Sequence, residues 1–155
     1  MPESVREVIS GFLAQKRIAV IGASRNARDF NASMFRTLRE RGYDAVPVNP
    51  NATEIDGVRC YARVQDIEPP VAAALVMTAP EVAERVVEDC RDAGVARVWL
   101  YGISGKPNSE RAAEFCRANG MAVVSGYCPH MFVQGTPWFH RLHGAILKIA
   151  GRYPA

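Results

Sequence analysis

Arg17-Ile18-Ala19-Val20-Ile21-Gly22-Ala23-Ser24-Arg25 decides the fold. The nearly unbroken apolar run predicts a strand buried on both faces of a parallel sheet. It enters a turn of small residues, and a helical pattern follows. Such a turn aims backbone N–H groups at whatever sits above the strand. The dipole of the following helix adds partial positive charge there, and Arg25 adds a full one. Together they predict an anion site suited to phosphate or pyrophosphate.

The rest of the chain alternates in the same way. Ser4 and Glu7 form a capping-box pattern opening a helix through about residue 14, with Val5, Val8, Ile9, Phe12 and Leu13 on one face. A helix is expected over 32–41, ended by Gly42, and a second strand over Asp44–Val48, stopped by Asn49-Pro50-Asn51. A short extended piece at 58–61 and a turn at 65–70 lead to a strand over 72–77. Pro80 and Glu81 suit the first turn of a helix running to Ala93. Further elements are a strand at 97–101, a glycine-rich loop at 102–106, a helix at 109–118 capped by Asn108, a strand at 121–124, and a last helix at 137–150.

Alternating strands and helices with short connections predict a three-layer α/β fold, a Rossmann-like doubly wound parallel sheet. It would have five or six strands, depending on whether 58–61 joins. The 155 residues are read as a single domain, with an N-terminal helix in 1–15 and a helical extension over 131–155. Ligands of such sheets bind at the carboxyl ends of the strands beside the switch in strand order. Four loops would meet there: 22–28, 49–51, 78–80 and 102–106.

Composition is ordinary, with 48% apolar and 23% charged residues. A net charge of +3 suits a small anionic ligand and is far from the load of a dedicated nucleic-acid binder. No apolar run approaches the roughly 18 residues of a membrane span. The first fifteen residues lack a signal-peptide core, and the four scattered cysteines form no CxxC pair. A reduced, cytoplasmic protein is therefore expected.

The dinucleotide fingerprint needs G-x-G-x-x-G. Gly22 fits its first position, but Ser24 and Ala27 stand at the second and third. Because the second glycine lets pyrophosphate approach the backbone, Ser24 makes an NAD pose less comfortable. An NAD enzyme also carries Asp or Glu at the end of strand two, where this chain has neutral Asn49 and stiff Pro50. A carboxylate there would repel a phosphorylated ribose, whereas Asn49 does not. NADP and coenzyme A (CoA) both remain open, with Arg25 or Arg28 to meet the phosphate.

Val20-Ile21-Gly22-Ala23-Ser24, Val46-Pro47-Val48-Asn49-Pro50, and Val98-Trp99-Leu100 with Gly102 resemble the small stand-alone CoA-binding proteins. These are similar to the N-terminal CoA-binding domain of the succinyl-CoA synthetase alpha subunit. The resemblance covers about residues 16–130. It implies CoA lying across the carboxyl ends of the strands. Gly22, Ala23 and Ser24 would line the phosphate loop, with Arg25 facing phosphate and Ser33 helping to bind it. Asn49 and Pro50 would border the adenosine, flanked by Thr78 and Pro80, and Gly102 completes the expected CoA-binding residues. Residues 26–31 depart from the Pro-containing loop common in that family. The larger synthetases carry their catalytic histidine and grasp domain outside this segment, so neither is expected among these 155 residues.

Other chemistry is thin. Cys128, after the last strand, is read as packed in a turn set by Gly126 and Pro129; a mixed disulfide with the thiol of CoA is the competing reading. His130, His140 and His143 could hold zinc with Cys128, but packing explains that helix, and no metal site is assigned. There is no Ser-His-Asp order, Walker motif or Y-x-x-x-K spacing, so no catalytic residue is assigned.

The expected function is binding of CoA or an acyl-CoA without catalysis alone, as a carrier, a sensor or a thiol protector. Its alternatives are a small NADP-dependent reductase and an interaction module with a vestigial nucleotide pocket. The expected partners are an acyl-transfer enzyme or a second copy of the chain meeting around 132–139, with no nucleic acid and no membrane.

Overall fold

A computed structural model describes residues 4–103, 106–107, 109–129 and 132. Its elements, in chain order, are α1 (Val5–Leu13), β1 (Arg17–Ile21), α2 (Phe30–Glu40), β2 (Asp44–Val48), β3 (Glu54–Ile55), β4 (Val58–Arg59), β5 (Ala73–Val76), α3 (Pro80–Asp92), β6 (Arg97–Ile103), β7 (Lys106–Pro107), α4 (Glu110–Ala118) and β8 (Ala122–Tyr127). A single 3₁₀ turn, Val64–Asp66, precedes β5.

Five parallel strands form the sheet in the order β2-β1-β5-β6-β8, and β7 folds back antiparallel on β6. This is the Rossmann-like α/β architecture expected. One apolar layer gathers Ala19, Ile21, Val76 and Val98 with Ala83 and Val87 of α3 and Ala113 and Cys116 of α4. The opposite layer gathers Ile18, Val20, Leu75 and Trp99 with Ile9 and Phe12 of α1 and Met34, Phe35 and Leu38 of α2. Alternate residues of β1 therefore feed opposite layers, which explains why its sequence shows no polar face.

Local rules set the helix ends. Ser4 caps α1 in a complete capping box with Glu7. The chain leaves α2, α3 and α4 in the same way: Tyr43, Val95 and Met121 each donate their backbone N–H to a carbonyl five residues back. Trp99 is fully buried between Phe12 and Phe132, at centroid distances of 5.3 and 5.7 Å, and its indole N–H donates to the Tyr127 carbonyl. Buried Trp needs such an acceptor, and this one ties β6 to the end of β8.

Several expectations are corrected. Helices do not alternate with strands throughout: between β2 and β5 the chain makes the β3–β4 hairpin and the 3₁₀ turn. The piece at 58–61 therefore pairs with Glu54–Ile55, and only Tyr61 bridges to the main sheet, at Val48. Helix α2 begins at Phe30, before its first buried residue, because Asp29 supplies the extended N-cap position. Residues 102–106 are not simply a loop: Gly102 and Ile103 continue β6 and pair with Pro107 and Lys106. The cap of α4 is Ser109, whose hydroxyl accepts from the Ala112 N–H, and not Asn108. Strand β8 runs on to Tyr127, with a bulge opposite Leu100 and Tyr101. The helix expected at 137–150, all three histidines, and the 132–139 patch apart from Phe132 lie outside the described residues.

Candidate functional site

The sheet order puts the switch point between β1 and β5. From β1 the chain crosses through α2 to β2 on one side; from β2 it returns past β1 to β5 and continues to β6 and β8 on the other. Ligands of doubly wound sheets sit in this crevice, outside the carboxyl ends. The loops there are 22–29 after β1, 49–53 after β2, and 77–79 after β5.

Gly22 begins the first loop with φ +96°, a left-handed conformation that L side chains rarely adopt. It is also tightly enclosed: an added Cβ would lie 2.9 Å from the Met77 carbonyl oxygen and 3.2 Å from Thr78 Cγ2. Its N–H donates to the Val48 carbonyl at 3.0 Å, extending the β1–β2 ladder by one rung. That is a correction to the expected row of N–H groups aimed at a ligand, since this one belongs to the sheet. Gly22 acts through shape, letting the first loop lie against the end of β5.

Two asparagines hold the loop in place. Asn31, in the first turn of α2, donates through Nδ2 to the carbonyls of Gly22 (2.8 Å) and Met77 (2.9 Å), bridging the ends of β1 and β5. Asn49 donates through Nδ2 to the Ala23 carbonyl at 2.8 Å and accepts the Asn51 N–H on Oδ1 at 2.8 Å. A carboxylate at position 49 could accept but not donate, and would face the Ala23 carbonyl with a negative charge.

Ser24 is also engaged. Its hydroxyl donates to Asp29 Oδ2 at 2.6 Å and accepts the Asn26 N–H at 3.1 Å, while Asn26 Oδ1 accepts the Arg28 N–H. Asp29 makes no side-chain cap on α2 and instead cinches the loop. Arg25 and Arg28 project from the cinched loop as exposed cations.

The remaining expected site residues are distributed around this centre. Ser33 lies half-buried one turn into α2. Pro50 is exposed beside Asn49. Thr78 is half-buried against Gly22, and Pro80 is exposed at the start of α3. Ala23 is buried beneath the loop. Gly102 stands apart in strand β6, opposite Pro107.

The thiols divide by surroundings. Cys90 and Cys116 are fully buried between α3, α4 and the sheet, and burial pushes the Cys116 thiol up to about 12 and that of Cys90 still further. Cys60 lies beneath the end of β2, where burial raises its thiol and a backbone hydrogen bond with Asn49, then the charge of Arg25, pull it back. Cys128 is half-exposed near Tyr101, whose hydroxyl is raised by burial and then by that thiol. Among the described residues no group of three or more His, Cys, Asp or Glu could hold a metal ion. No helix among them is long and apolar enough to cross a membrane.

Sequence reasoning missed Asn31, whose partners lie 9 and 46 residues away, and gave no role to Tyr61, which ends the extended piece at 58–61 and docks on β2. Neither position carries a periodic or motif signal.

The CoA binding domain family matches residues 16–134. Among curated relatives, the acetate–CoA ligase (ADP-forming) II subunit alpha of Pyrococcus furiosus is 27% identical over 125 residues, 76% of this chain and 27% of its own length. The uncharacterized protein YneT of Bacillus subtilis is 26% identical over 113 residues, 73% of this chain and 82% of its own. This chain thus spans about a quarter of the ligase subunit and most of YneT. Among solved structures, a hypothetical protein from Pyrococcus horikoshii superposes with a TM-score of 0.74 at 25% identity, covering 86% of this chain and 94% of that one.

Proposed function

Because the chain belongs to the CoA-binding domain family, with coenzyme A as its ligand, we propose that CoA or an acyl-CoA lies across the carboxyl ends of β2, β1 and β5. The pyrophosphate rests over the loop formed by Gly22, Ala23 and Ser24, with Arg25 facing it and Ser33 nearby. The adenosine lies between Asn49-Pro50 and Thr78-Pro80, and the pantetheine arm runs toward Gly102. The single observation supporting this pose is the double asparagine strap. Asn31 and Asn49 fix the first loop to both neighbouring strand ends, so the anion cradle is formed before ligand arrives. A preformed site does not lose binding energy to ordering its own loop.

The protein binds and does not catalyse alone. Its work is to carry or present CoA, and the natural partner is an acyl-transfer enzyme, since the ligase relative joins a matching segment to a much longer chain. In this reading the Ser24 hydroxyl and the Asp29 carboxylate are engaged in closing the loop, with Ser24 also accepting the Asn26 N–H, and the asparagine amides do not titrate.

Native mass spectrometry of the purified protein titrated with CoA, acetyl-CoA, NADPH, NAD and ATP tests the reading. CoA or acetyl-CoA should be retained preferentially, and acetyl-CoA should release no thiol faster than in buffer. Preferential retention of NADPH, or retention of none of the five, would overturn it.

A further inference from the structure

Resting on the CoA reading above, we infer that Arg59, held over the ring of Tyr61, recognises the adenosine 3′-phosphate of the ligand. Neither residue belongs to the loops that identified the site. Tyr61 nevertheless stands at the same crest: it bridges to Val48 in parallel, takes the Pro47 carbonyl with its N–H at 3.0 Å, and receives the Asn49 N–H on its own carbonyl at 2.9 Å. It is in effect a further one-residue strand at the free edge of β2, level with the asparagine that straps the phosphate loop.

The segment alternates as extended backbone does. Cys60 turns inward, buried with the α1–α2 layer, its thiol 3.7 Å from the Asn49 carbonyl. Tyr61 packs on the opposite layer, and Arg59 lies on its ring, with the guanidinium carbon 4.7 Å from the centroid. A guanidinium stacked this way is held in plane, so its donor fork is oriented before a phosphate arrives.

Its charge is also uncompensated. Arg17, Arg63 and Arg91 each pair with an aspartate, whereas among the described residues Arg59 has no carboxylate within ion-pairing distance, although Glu54 is its strand neighbour. Arg25 of the first loop is also close enough to act electrostatically on the Cys60 thiol. One arginine from the end of β4 and one from the first loop therefore stand near the end of β2. A phosphomonoester, with more charge and more terminal oxygens than a pyrophosphate oxygen pair, is the ligand group that rewards a stacked, bidentate guanidinium there.

Calorimetric titration with CoA and with 3′-dephospho-CoA, which lacks only that phosphate, tests the inference. Arg59→Ala should weaken CoA by about tenfold or more and dephospho-CoA by less than about twofold. Arg59→Lys should recover part of the loss, because charge returns without the planar fork. Tyr61→Phe should behave as wild type, and Tyr61→Leu should lose about threefold on CoA alone, the ring being what orients Arg59. Thermal melts check that each variant folds; Arg59 is exposed, so its replacement should leave the midpoint in place. Equal losses on both ligands in Arg59→Ala, or a loss on neither, overturn the inference while leaving CoA binding intact. Wild-type protein that binds neither ligand overturns the CoA reading and this inference with it.

Discussion

Replacing Gly22 by Ala is the most searching perturbation of the proposed cradle. Two costs add. The first is conformational: at φ +96° a Cβ is forced into the left-handed region, which costs about 1–2 kcal/mol. The second is steric. The new methyl would lie 2.9 Å from the Met77 carbonyl oxygen and 3.1 Å from its carbon, and these backbone atoms are held by Asn31 and by the rung from the Met77 N–H to the Ile21 carbonyl. Relieving an overpacked contact of this kind typically costs about 1–3 kcal/mol. The total, about 2–5 kcal/mol, is a large fraction of the 5–15 kcal/mol that separates folded from unfolded states. Gly57→Ala supplies the control, because Gly57 has φ +77° but nothing within 4 Å of an added Cβ. It should show the conformational cost alone, about 1–2 kcal/mol, and unchanged CoA affinity. Urea denaturation of the two variants, read at equal m-value, separates the terms, and calorimetry reports CoA. Gly22→Ala should be the less stable by at least about 1 kcal/mol and should bind CoA several-fold more weakly, because β1 and β5 must part. Equal stabilities together with undiminished CoA binding would refute the idea that the loop is seated against β5.

Other expectations follow from the same geometry. Asn49→Asp removes the donor to Ala23 and sets a carboxylate beside the ligand phosphates; a stability loss of about 1–3 kcal/mol is expected, with CoA weakened more than in Asn49→Ala. Asn31→Ala should lower both stability and CoA affinity, since two carbonyls lose one shared donor. In the native protein an aromatic disulfide reagent should modify half-exposed Cys128 first, and Cys90 and Cys116 only on unfolding, which mass mapping of the labelled peptides checks. Both buried thiols have folded-state pKa values above the unfolded value of 9.0, so their stabilising effect is complete below pH 9 and is lost as pH rises beyond it. Each should steepen the alkaline fall in stability by up to about 1.4 kcal/mol per pH unit, and Cys116→Ala should flatten that limb in urea titrations between pH 9 and 11.

The legible parts of the chain are those decided by neighbours in sequence. Arg17–Ile21 and Asp44–Val48 form strands with the expected ends, because each apolar run meets a residue that cannot continue it, Gly22 in one case and Asn49-Pro50 in the other. The Ser4–Glu7 box is a contact across three residues and was equally readable. Residues 102–106 were misread because glycine marks a loop only when nothing pairs with it, and the partner, Lys106–Pro107, is itself unremarkable in sequence. Asn31 was invisible for a stronger reason: its role exists only once β1 and β5 are adjacent.

Asn49 shows in the sequence only half of the physics that the fold displays. In the sequence it argues for a phosphorylated ribose because it lacks the charge that an aspartate would bring. In the fold its amide does two opposite things at once, accepting from Asn51 and donating to Ala23. In the proposed pose aspartate is therefore disfavoured twice, once by the ligand phosphate and once by the loop contact to Ala23. In that pose the same residue faces the nucleotide and ties down the first loop, so the two properties cannot be varied independently through position 49. Arg59 offers the separation that Asn49 does not: it touches no backbone of the cradle, and its loss should alter which nucleotide is preferred while the turn after β1 stays where it is.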